Sequence, residues 1–105
     1  MNIAEAIEKT DILTKDIYNK DINFYEAFLG LYPYIKSSYE EFIRLLPDLN
    51  AIGINIKLER LVQDMRDISD AIEKKDKVLL FDTLNYRVKE TLGWYMQIKN
   101  IMEEE

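Results

Sequence analysis

The chain has 105 residues, 48% of them apolar and 32% charged, with a net charge of −6 and neither cysteine nor histidine. That is one domain's worth of chain with enough apolar surface for one core, and 1–105 reads as a single domain. Missing cysteine and histidine exclude disulfides, thiolate zinc sites, cysteine nucleophiles, Ser-His-Asp triads and Glu-x-x-His di-iron sites, so no catalytic residue, cofactor-binding residue or metal ligand is assigned.

The acidic balance argues against nucleic acid, whose phosphates call for cations, and against an anionic membrane surface. A protein partner, or self-association, is the expectation. Residues 1–10 carry Glu5 and Glu8 where a secretory leader would be basic and then apolar. No apolar run approaches the roughly 18 residues of a membrane span. The chain reads as cytoplasmic.

Only five residues are Gly or Pro, too few turns for an all-β domain. Apolar periods near 3.6 dominate instead and mark four helices. Helix 1 is expected over 2–19 on Ile3, Ala6, Thr10, Leu13 and Ile17, with a break at Asn19-Lys20-Asp21 and Asp21 capping the second helix. Helix 2, over 22–46, carries Tyr25, Phe28, Tyr32, Ile35, Tyr39, Phe42 and Leu46 at 3-4 spacing. Further apolar residues flank both sides of that stripe, so it is the helix expected to be most buried. Pro33 lacks an N–H and predicts a kink near residues 30–33, or two shorter helices. Pro47 is expected to stop the helix.

Residues 51–55 alternate apolar and small or polar side chains like a strand. A lone strand has no partner, so a loop or the ragged start of helix 3 is expected there. Helix 3, over 56–74, has a seam of Ile54, Leu58, Leu61, Met65, Ile68 and Ile72. Arg60, Asp64, Arg66, Asp67 and Asp70 read as its solvated face. Asp76 caps helix 4, expected over 77–103 with Phe81, Leu84, Val88, Leu92, Tyr95, Ile98 and Met102 inward. Short links between long helices imply an all-α, up-down-up-down antiparallel four-helix bundle.

Within 76–86, Asp82, Leu84 and Tyr86 form an Asp-x-Leu-x-Tyr core, preceded by an apolar pair and followed by Trp94. This resembles small all-helical proteins of low-GC Gram-positive bacteria that have no assigned activity. The resemblance covers about a quarter of the chain. Arg87 stands where that pattern has an acid. It implies a bacterial, helical, cytoplasmic protein and no particular chemistry.

The sequence supports two functional readings. The first is a non-enzymatic interaction module (an adaptor, small chaperone or regulatory subunit) that binds a protein through an apolar helix face or groove. Leu79, Tyr86, Tyr34 and Met96 lie off their helix seams and are the candidate partner-binding residues. The alternative is a Mg²⁺-dependent hydrolase similar to all-α nucleotide pyrophosphohydrolases, using the acidic doublets Glu5/Glu8 and Asp64/Asp67.

Overall fold

A computed structural model describes residues 2–16 and 23–104. The protein is all-α, with no strand among the described residues. Helix α1 spans Ile3–Lys15, α2 Phe24–Ala51, α3 Leu58–Lys74 and α4 Lys77–Asp82. A π-helical segment, π1, spans Thr83–Val88 and leads directly into α5, Lys89–Glu104. The last three are one unbroken rod, so the helices number four among the described residues.

Each start has a local cause. Asn2 accepts from the Glu5 N–H at 2.8 Å, Asn23 from Glu26 at 3.1 Å and Asp76 from Leu79 at 3.0 Å. Each side chain satisfies a first-turn donor that the helix itself leaves unpaired. The break expected at residues 19–21, and the cap expected of Asp21, lie outside the described residues. Asn23 fills the cap position of α2. Lys75, at φ 51°, closes α3 in the left-handed region, and the Asp76 N–H reaches back to the Ala71 carbonyl at 2.8 Å.

Helix α2 passes through both of its prolines. Two separate helices do not form at Pro33, and Pro47 does not stop the helix, which continues to Ala51. Leu49 explains the extension. It is buried, and its carbonyl accepts from Ile52 and Ile54, so the last turn is anchored from both sides. The buried stripe of α2 is Phe24, Phe28, Leu31, Ile35, Ser38, Tyr39, Phe42, Leu46 and Leu49. Tyr25 and Tyr32, expected on that seam, are half-buried at its margin.

Helix α3 buries Leu61, Asp64, Ile68 and Ala71. The 3-4-3 spacing is ordinary, but one position is a carboxylate. Leu58, expected in the seam, is exposed, as is Met102 at the far end of α5.

The final helix is not the uniform one its spacing predicts. Its buried apolar residues run Leu80, Leu84, Val88 and Leu92, then Tyr95 and Ile98. Each four-residue step overshoots an α-helical turn by about 40°. Three such steps in succession would carry Leu92 off the core face. The π segment absorbs the overshoot by widening the turn, and the Lys89 N–H bonds to the Leu84 carbonyl, five residues back.

Helix α1 packs on α2, π1 and α5, and α3 packs on α2, α4 and π1. Asp11 is paired by Lys15 and Lys89, each at 2.9 Å, which ties α1 to the start of α5. Those two ammonium groups hold the Asp11 carboxyl below its ordinary range, Lys15 contributing most. Phe28 and Phe42 are almost wholly enclosed. Truncating either to alanine is expected to cost about 3–5 kcal/mol, the range for a buried phenylalanine. Urea denaturation followed by circular dichroism measures this, and a loss under ~1 kcal/mol would place the side chain outside the core.

Candidate functional site: a buried carboxylate and an apolar groove

Asp64 is fully buried. This corrects the sequence reading that set it on a solvated face. The signal was present: residues 61, 64, 68 and 71 form a regular heptad stripe, and only the polarity of Asp64 disguised it. A buried carboxylate requires compensating groups, and α2 and the last helix supply two hydrogen bonds and an ion pair. Tyr39 of α2 donates its hydroxyl to Oδ2 at 2.8 Å, and Thr91 of α5 donates to the same oxygen at 3.2 Å. Arg87 of π1 brings Nη1 to 3.3 Å from Oδ1. Burial, and then the adjacent Asp64 charge, push the Tyr39 phenol far above its ordinary value, so it acts as a permanent donor.

Arg87 is bound on its other side too. Its Nη2 contacts Asp67 and donates to Thr83 Oγ1 at 3.1 Å, while the Thr83 hydroxyl donates to the Leu79 carbonyl at 2.8 Å. Gln63 donates to Asp67 Oδ1 at 2.9 Å. Burial pushes the Asp67 carboxyl up, but the Arg87 and Gln63 donors outweigh it and its pKa is lowered.

The π segment places Arg87. In a continuous α-helix, the 4-3-4 heptad from Leu80 and Leu84 would put residue 87 in the core. The inserted residue gives that place to Val88 and leaves Arg87 at the edge, where it meets both aspartates.

One helical turn along, Arg60 lies over the Trp94 ring, 4.7 Å from its centroid, and pairs with Glu90 at 3.5 Å. Arg60 thus meets Glu90 and Trp94, whereas Asp64 and Asp67 both meet Arg87. Beside Arg60 and Trp94 opens a groove of about 570 Å³. Ile54, Ile56, Trp94, Ile98 and Ile101 give it apolar walls, and Lys57 is on its rim. Sequence reasoning missed it because the spacing puts Ile54 in the helix 3 seam and starts that helix at Ile56, whereas α3 begins at Leu58 and residues 54–57 form a non-helical connector.

The candidate partner-binding residues fall on two other surfaces. Tyr34 and Met96 share a polar cleft with Lys99 and Glu103. Tyr86 is 64% exposed and meets Phe81 edge-on, whereas Leu79 is half-buried. Because π1 begins between them and contains Tyr86, their seven-residue spacing is no longer two α-turns. The doublets Glu5/Glu8 and Asp64/Asp67 are not brought together. Glu5 and Glu8 are exposed on α1, and Asp64 and Asp67 are engaged by Arg87. No group of three acids able to hold a metal ion occurs among the described residues.

No protein-family model, curated protein or solved structure matches this chain.

Removing one partner from a buried ion pair leaves an uncompensated charge. Arg87→Met is therefore expected to cost about 3–5 kcal/mol, and the double variant Asp64→Leu/Arg87→Met to cost less than the sum of the two single variants. A double-mutant cycle by chemical denaturation checks this, and an additive result would show the pair to be uncoupled. The lowered pKa of Asp67 also fixes a pH window. Its stabilisation is complete above the unfolded carboxyl value of about 3.9 and is lost as pH falls through the lower folded value. Asp67→Asn is expected to flatten the acid limb of stability against pH, measured as urea midpoints between about pH 5 and pH 2.

Proposed function

We propose that this chain is a non-enzymatic interaction module, an adaptor, small chaperone or regulatory subunit, that binds a protein partner in the groove between the 54–57 connector and α5. One observation carries the reading. An open concavity with walls of isoleucine and tryptophan sits beside the Arg60 guanidinium, which lies over the Trp94 ring. Apolar surface gathered into a groove with a polar rim is the usual form of a peptide- or protein-binding site. Ile101 is 57% exposed at its edge, an apolar side chain whose burial against a partner is favourable. The groove-lining side chains are apolar, amide or cationic. They include no carboxylate, hydroxyl or thiol for acid-base or nucleophilic chemistry. A cytoplasmic location is part of the proposal. No helix among the described residues is long and apolar enough to cross a membrane.

Site-specific photo-crosslinking tests the location. A photoreactive residue at Gln97, exposed on the groove, is expected to capture a partner that the same residue at Tyr86 does not. Ile101→Asp is expected to abolish capture with an unchanged circular dichroism spectrum, since an exposed side chain tolerates charge. Capture from Tyr86 alone, lost in Tyr86→Asp, would move the docking face to α4 and π1.

A further inference from the structure

The 54–57 segment of the groove wall is not helical. Its burial alternates strictly. Ile54 and Ile56 are half-buried, while Asn55 and Lys57 are exposed. That is the period-two pattern of a β-strand with one face on a core. Lys57 itself has extended dihedrals, φ −81° and ψ 129°. The Ile54 N–H bonds to the Leu49 carbonyl and the Lys57 carbonyl accepts from Arg60. Between those two anchors, the N–H groups of Asn55, Ile56 and Lys57 and the carbonyls of Ile54, Asn55 and Ile56 make no backbone hydrogen bond among the described residues. The chain therefore holds a short strand-like edge, fixed at both ends, beside an apolar groove.

Such an edge is a template for another extended chain, in which main-chain pairing gives affinity and alternate side chains give specificity. We propose that the groove binds its partner by strand addition. An extended segment of the partner protein pairs with residues 54–57, its alternate apolar side chains enter the groove beside Trp94, and carboxylates on its other face meet Lys57. The proposal rests on the interaction-module reading and adds the partner's conformation and charge.

Charge selects the occupant. The chain carries −6 overall, yet the charged side chains lining this groove are Lys57 and Arg60. Arg60 is engaged by Glu90, while Lys57 makes no ion pair among the described residues. A second copy would bring the same cations against these, and a lysine on a short edge is a usual guard against self-pairing. An acidic, alternating segment is the complementary partner.

Trp94 is the single tryptophan, so its emission reports occupancy of the groove. The probe is the blocked hexapeptide acetyl-Glu-Val-Glu-Val-Glu-Val-amide, a usual strand length. It is expected to shift Trp94 emission saturably, and its lysine-for-glutamate counterpart to bind at least about tenfold more weakly. In an extended chain, alternate residues present N–H and C=O to opposite edges. N-methylation of the valines, or separately of the glutamates, is therefore expected to abolish binding in one isomer and spare it in the other. Equal binding of both isomers, or equal loss, would overturn strand addition, and equal binding of the lysine peptide would overturn the charge assignment. Trp94 emission that shifts with protein concentration alone would make a second copy the occupant and overturn the proposal. Silence to every peptide, with capture from Gln97 intact, would overturn strand addition and leave the interaction-module reading standing. Silence with capture also lost would overturn both.

Discussion

The buried carboxylate of Asp64 is the constraint on which the bundle's arrangement depends. A carboxyl group without water requires its partners at fixed positions, and here they come from α2, π1 and α5. Leucine contacts tolerate sliding, because apolar packing is non-directional. A tyrosine hydroxyl at 2.8 Å and a guanidinium shared between two aspartates do not. The network fixes the relative register of three helices that share an otherwise aliphatic and aromatic interior. Such a pair adds little net stability over well-packed apolar residues. Its effect is to make one alignment of the helices far better than its neighbours.

That alignment carries the groove with it. Arg60 is one turn from Asp64 on α3, and Trp94 is one turn from Thr91 on α5. Once Asp64 and Thr91 are bonded, Arg60 is brought over the indole and the 54–57 connector is held beside α5. The concavity is a consequence of a buried polar contact one helical turn away.

The helices are legible in the sequence because apolar periodicity and caps are local signals. Asp76 and the seam residues Phe28, Ile35, Phe42, Leu61 and Ile68 can be read from spacing alone. Three features cannot. Asp64 reads as surface because charge outweighs position in any reading by polarity, and its partners Tyr39, Arg87 and Thr91 are remote along the chain. The π turn is written in the 4-4-4 spacing of Leu80, Leu84, Val88 and Leu92, a period that passes for α over so short a window. The 54–57 segment does show its alternation, but a strand without a partner in the same chain gives no reason to be read as one. In each case the missing information is tertiary: whatever lies opposite a residue decides its role, and spacing along the chain does not supply that.

The wide turn of π1 also makes the last helix tolerant of a change in length. It takes up one residue locally, so that the half of the helix beyond it need not rotate by about 100°. A chain shorter by one residue between Leu80 and Arg87 would reach Val88 by ordinary α-turns, and Arg87 and Thr91 would still face Asp64. Length at this point is therefore a spare degree of freedom, whereas one residue added or removed beyond Arg87 would turn Thr91 and Trp94 away from their partners on α3.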